Sequence, residues 1–217
     1  MKKMVKQVQS LVALAAISLA MTASPLAAES RDRDQDDSVK FDMIVSAGAK
    51  TCLPNASGSV KITPVGPVEI MEVSVQGLPP KTEFELFVIQ VPKAPFGISW
   101  YQGEIETDKN GRGHERFIGR FSIGTFAVAP NGAPAPVVFN GPFPDASLNP
   151  PFNPIHPYHL GLWFGSPQAA QAASCPATVT PFNDEHNAGF QVLNTSNFTD
   201  DHGPLRDVNP SAEKTKD

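Results

Sequence analysis

The sequence predicts an all-β protein, an antiparallel β-sandwich with one short helix and a long proline-rich loop. Three observations predict it. Short runs of alternating or continuous apolar residues recur between residues 59 and 129, each closed by Gly, Pro or Asn. Only one segment, Ser166–Ser174, has the pattern of a helix. Two cysteines sit far apart in a chain that opens like an exported one, which reads as a single disulfide rather than a metal or redox pair.

The strands follow in order. Ser59–Thr63 alternates and stops at Pro64, and Val68–Val75 ends at Gly77-Leu78-Pro79-Pro80. In Thr82–Val91, Phe84, Leu86 and Val88 share one face while Phe87, Ile89 and Val91 share the other. Apolar side chains on both faces predict a central strand covered on both sides. Ile98–Thr107 runs into the turn Asp108-Lys109-Asn110-Gly111, with His114–Phe121 as its expected hairpin partner. Gly124–Ala129 is a further short strand. Later, Leu160–Phe164 and Phe190–Asn194 have the same character. On the first of these His159, Gly161 and Trp163 share one face, opposite Tyr158, Leu160, Leu162 and Phe164. Many short strands with Gly/Pro punctuation imply an Ig-like or Greek-key sandwich.

Two stretches depart from that rhythm. Pro130 to Pro157 holds nine prolines, too many for a central strand or a helix interior, and is expected to be a long loop. Ser166-Pro167 supplies an N-cap and a first-turn proline for the alanine-rich helix, which delivers Cys175.

The ends of the chain carry their own signals. Lys2, Lys3 and Lys6 precede an uncharged apolar stretch from about Leu11 to Met21, and small residues follow up to Ala28. That is the layout of a cleaved secretory signal over 1–28, too short in its apolar part to span a bilayer. Residues 29–38 form a charged leader, 39–205 the β body, and 206–217 a polar tail. The expected location is periplasmic or extracellular, with no transmembrane anchor after cleavage. An oxidising compartment favours the Cys52–Cys175 pairing, although metal ligation by the pair is the alternative.

Removing residues 1–28 takes away three lysines and no acids, leaving 14 basic and 22 acidic residues and a formal charge of −8. With no Lys/Arg cluster, binding to nucleic acid is excluded as an expectation. The expected partner is a protein or another ligand of the cell envelope.

Chemistry-bearing candidates are few. His156, His159 and His186, with Asp184 or Asp201, could hold Zn or Cu at imidazole nitrogens, although capping and carbonyl hydrogen bonds are the competing roles. No cofactor is otherwise expected. Trp100, Tyr101 and Trp163 could stack on a sugar or a peptide, although strand alternation favours core positions for them. No Gly-x-Ser-x-Gly, His-Glu-x-x-His or phosphate loop occurs. Asp108–Gly113 mimics a calcium loop, but Arg112 takes a ligand position and no closing Glu follows. Catalytic residues are therefore not assigned. The leading expectation is a non-enzymatic binding protein, ahead of a metal protein and a carbohydrate-binding module.

The runs Gly58–Val60, Val73–Thr82 and Phe87–Ile89, with the Asp108–Gly113 turn, resemble exported β-sandwich modules. They are similar to the extracellular domains of bacterial anti-sigma factors and, more loosely, to copper/zinc superoxide dismutases. The resemblance implies a sandwich. It does not imply dismutase activity, because the stretch matching the copper His-x-His pair reads Phe84-Glu85-Leu86-Phe87-Val88-Ile89. The chain as a whole, Tyr158–Phe164 and Phe182–Asn194 above all, also resembles exported bacterial proteins.

Overall fold

A computed structural model describes residues 37–128, 154–181 and 186–210. The expected signal, nearly all of the leader, most of the proline-rich loop, Asp184 and the end of the tail lie outside the described residues.

Eight strands build one antiparallel sheet. They are β1 (Val39–Val45), β2 (Ser57–Val65), β3 (Val68–Gln76), β4 (Glu83–Ile89), β5 (Ser99–Glu106), β6 (Gly113–Gly119), β9 (His159–Phe164) and β12 (Gln191–Asn194). Their order across the sheet is β5-β4-β9-β12-β1-β2-β3-β6. Two-residue ribbons pair β7 (Ala127–Val128) with β8 (Pro154–Ile155), and β10 (Thr180–Pro181) with β11 (Asn187–Ala188). The one α-helix, α1 (Pro167–Ala172), is capped by Ser166, whose hydroxyl accepts from the Ala169 amide.

Each strand follows from its residues. In β3 Glu69, Met71, Val73 and Val75 point inward and are buried, while the residues between them are at least partly exposed. β1 obeys the same rule, with Phe41 and Met43 buried between exposed Lys40 and Asp42. Its alternation is clear in the sequence, yet the charged leader beside it hides the strand from a reading that looks for longer apolar runs. β4 and β9 are covered on both faces, and all six residues of β9 are buried.

The sheet coils until its edges approach. β1 makes the bend: Val39–Met43 pair with β2, and Ile44 and Val45 pair with β12. At the far side the edge strands β5 and β6 face each other. Gly103 lies at a bulge, opposite Leu86 in a register that slips before Phe87, with φ +148° in a region that side chains rarely adopt. A Cβ there would lie 2.6 Å from the Phe117 ring of β6, so the glycine lets the two edges close.

The sequence-based hairpin needs correction here. The turn forms, with Asp108 Oδ1 accepting from the amides of Asn110 at 2.7 Å and Arg112 at 3.0 Å. The strand that follows pairs with β3 over Glu69–Val75 rather than with β5. A tight turn fixes the reversal of direction but not the ladder, which is set by the coiling of the whole sheet.

The inner face carries Phe41, Met43, Val60, Ile62, Met71, Val73, Phe84, Leu86, Leu160, Leu162 and Phe164 in one cluster. Phe84 and Phe164 rings lie 5.0 Å apart. A smaller cluster covers the outer face of β4 and β9, where Trp163 packs edge-on against Phe87 and Phe96 at 5.2 and 5.1 Å. Cys52 and Cys175 form a disulfide, with Cα atoms 5.3 Å apart. It joins the β1–β2 connection to the residues just after α1.

The bond spans 123 residues of sequence. Chain-entropy arithmetic for a loop of that length gives about 5 kcal/mol of stabilisation. Reduction, or Cys52→Ser with Cys175→Ser, should therefore lower the guanidinium midpoint strongly and steepen the transition, since the released chain exposes more surface on unfolding. An unchanged midpoint would contradict this.

Candidate functional site

Glu85 is the residue that the fold does not explain. It stands on β4 between the core positions Phe84 and Leu86, so its side chain points to the outer face with Phe87 and Ile89. It is 0% exposed. Burying a carboxylate is costly unless partners replace its water. Glu85 Oε1 accepts from His186 Nε2 at 3.1 Å, while Oε2 has no hydrogen-bond partner among the described residues.

The neighbours deepen the problem. Directly across the β4–β5 ladder from Glu85 stands Glu104, and on the other side Trp163 of β9. Like charges in opposed positions repel. Two residues earlier on the same face is Glu83. One carboxylate oxygen from each of Glu83, Glu85 and Glu104 lies within 4.8 Å of the other two. Tyr101 adds a fourth oxygen, its hydroxyl donating to Glu104 Oε1 at 3.0 Å while its ring rests edge-on against Phe87 at 5.8 Å.

His186 is brought to this point by the ribbon. The Gly189 amide donates to the Phe164 carbonyl at 2.7 Å, and the Phe164 amide donates to the Phe190 carbonyl at 3.0 Å, so the segment is sewn to the end of β9. A Cβ on Gly189 would lie 2.5 Å from the Ser166 carbonyl oxygen, so only glycine passes there. A cavity of about 500 Å3, lined by Lys81, Thr82, Glu83, Gly165, Ser166, Ala169 and His186, reaches the cluster from solvent.

The electrostatics follow from this arrangement. Burial pushes the Glu85 carboxyl above its ordinary value, the hydrogen bond from His186 opposes that rise, and the charges of Glu104 and Glu83 add to it. Burial likewise pushes the Tyr101 phenol up, helped by its hydrogen bond to Glu104 and by the charge of Glu85.

The structure places the sequence candidates at separate points. His159 is buried on the outer face of β9, opposite Ile89, with Nε2 donating to the Asp200 carbonyl at 3.3 Å. Its Nδ1 then accepts from the Thr195 hydroxyl at 2.9 Å. Burial holds this imidazole down at about 4, a neutral residue under most conditions. Glu85 pairs four positions along from Ile89, roughly 13 Å away at strand rise. His156 donates from Nδ1 to the Thr125 carbonyl at 3.1 Å and stacks on Tyr158, which precedes β9. Asp201 is exposed, accepting from the Thr199 hydroxyl. Of the three histidines, His186 is the one brought to the carboxylates. Trp163 lies beneath Phe87 and Phe96, and Trp100 is half-buried with Nε1 donating to Gln102 at 3.3 Å.

Glu83, Glu85 and Glu104 escaped the sequence reading, which took Tyr101 only as a stacking surface. The available signal was an acid inside Thr82–Val91, on a face whose other members are Phe87 and Ile89.

No protein-family model matches the chain, and no curated protein matches it either. The site is therefore read from its own geometry.

A carboxyl whose proton affinity is higher folded than unfolded stabilises the fold most when protonated. Glu85 faces Glu83, Glu104, Tyr101 and His186, and starts from an ordinary value of 4.5. As pH rises from there until Glu85 ionises, its contribution is progressively lost. The difference in melting temperature between wild type and Glu85→Gln should therefore shift in favour of the variant across that window. Parallel pH profiles for the two proteins would refute the assignment.

Proposed function

We propose that this chain is an exported binding protein that takes a positively charged ligand at the Glu83–Glu85–Glu104–His186 cluster. The signal-like start and the Cys52–Cys175 bond support export, to the periplasm or the exterior. Among the described residues no helix is long and apolar enough to cross a membrane. In this reading the coiled sheet is a sandwich in which β1 serves both layers, one half pairing with β2 and the other with β12.

One observation carries the reading. A wholly buried carboxylate has one oxygen without a hydrogen-bond partner among the described residues, beside two further carboxylates. Such an arrangement stores unfavourable electrostatic energy that a cation relieves. A structural role alone would be served better by Val or Leu on a face already lined with Phe87, Ile89 and Trp163. The role is binding rather than catalysis. The reading as a carbohydrate-binding module has less support, since Trp163 is covered by other rings and offers no open face.

Thermal denaturation of the purified, disulfide-bonded protein tests this with a panel of zinc, manganese, calcium, spermidine and a lysine-rich peptide. At least one cation should raise the melting temperature of wild type by several degrees and leave Glu85→Gln unmoved. If none does, or if neutral oligosaccharides stabilise both proteins instead, the reading fails.

A further inference from the structure

The donor set at this cluster is narrower than a generic acidic patch. Each of Glu83, Glu85 and Glu104 supplies an oxygen within 4.8 Å of the other two, so a point between them lies at most about 2.8 Å from each. Bond lengths to a first-row divalent ion are about 2.0–2.2 Å for carboxylate oxygen and 2.0–2.1 Å for imidazole nitrogen. Small side-chain rotations cover the difference, and Glu83 and Glu104 are exposed enough to make them. His186 Nε2 stands 3.1 Å from Glu85 Oε1. Two ligands bonded at about 2.1 Å and at right angles lie about 3.0 Å apart. That pair alone has the spacing of neighbouring ligands; the donors that all lie within 4.8 Å of one another are those of the three carboxylates, so the imidazole has to turn toward them to join.

We infer that the cationic ligand is a single first-row transition-metal ion in its divalent state, held by Glu83, Glu85 and Glu104 oxygens, with His186 Nε2 turning in from its hydrogen bond to Glu85 as the fourth ligand. The inference rests on the cation-binding reading above and sharpens it. Two features point to a ligand here: the carboxylates cluster, and the one member of the cluster that is fully buried, Glu85, keeps Oε2 without a hydrogen-bond partner among the described residues. The chemistry of the donors selects the ion. Oxygen donors with an imidazole suit zinc, manganese and ferrous iron, whereas calcium seeks six to eight oxygens and copper(I) seeks thiolates. Both cysteines are bridged and supply no thiolate. In the metal-free protein Nε2 carries the hydrogen donated to Glu85. On binding, the ion takes that place, and the hydrogen leaves Nε2 as the ring takes the tautomer with its N–H at Nδ1. Tyr101, donating to Glu104, orients that carboxylate from behind.

The position suits uptake from solvent. Glu83 and His186 line the cavity of about 500 Å3, while Glu85 and Glu104 oppose each other across the β4–β5 ladder. Ligands come from two adjacent strands and from a separate ribbon, so the ion would also tie residue 186 to the sheet.

Isothermal titration of the chelator-treated, disulfide-bonded protein with zinc and with manganese should give one site per chain, with calcium at least tenfold weaker. His186→Ala, Glu85→Gln and Glu104→Gln should each weaken zinc by roughly 10- to 100-fold or more, the range already seen when ligand-supporting groups are lost. Glu104 is exposed, so its variant keeps the fold if Glu85→Gln does not, and far-ultraviolet circular dichroism checks both. Cobalt substitution supplies a second readout, a visible absorption that His186→Ala should alter. If spermidine or the basic peptide binds in a Glu85-dependent way and zinc and manganese do not, the metal assignment is overturned while the cation-binding reading stands. If nothing cationic binds, both fall. Binding of zinc that is indifferent to all three substitutions overturns the site.

Discussion

The fold turns on the burial of β4 and β9 on both faces. Inside, Phe84, Leu86, Leu160, Leu162 and Phe164 belong to the main core. Outside, Ile89, Trp163 and Ala188, with Phe87 and Phe96 packed beside them, keep water from the opposite surface. Full burial of side chains of this size is worth about 1.5–3 kcal/mol each, which makes this strand pair the most heavily stabilised part of the sheet. The same dryness sets the chemistry. A glutamate at position 85 on a solvated strand would be an unremarkable surface charge. Here it is held in a medium that disfavours its ionised form, with the hydrogen bond from His186 opposing that effect.

Much of this architecture was legible in the residues. The alternation in Thr82–Val91 and Tyr158–Phe164 assigned inner and outer faces correctly, and the Ser166-Pro167 start located the helix to within a residue. The disulfide followed from cysteine count and compartment. Local chemistry governs all of these, so a local reading suffices. Long-range pairing was not legible. Nothing in His114–Gly119 says that it prefers β3 to β5, because that choice depends on how far the whole sheet coils. The same coiling joins what a reader of the sequence separates into two layers, with β1 passing between them.

The site was legible only in part. His186 stood out as a possible ligand because histidine is rare in this chain, and its surroundings of Asn and Asp were visible. The histidines that looked like its partners answer to different neighbours. His159 caps backbone and hydroxyl groups of residues 195–200, and His156 serves the segment at Thr125. The true neighbours are glutamates, a common residue type, and they meet through the β4–β5 register and a ribbon about a hundred residues away. Glu85 and His186 are 101 positions apart in sequence. No spacing rule reaches that far.

The near meeting of β5 and β6 has a consequence for association between chains. An open sheet offers two rows of bare amides and carbonyls on which another extended chain can grow. By turning those rows toward each other across the Gly103–Phe117 contact, this protein leaves a passing strand little room to dock. The closure thus acts as a guard against fibrous self-association, and a single glycine makes it possible.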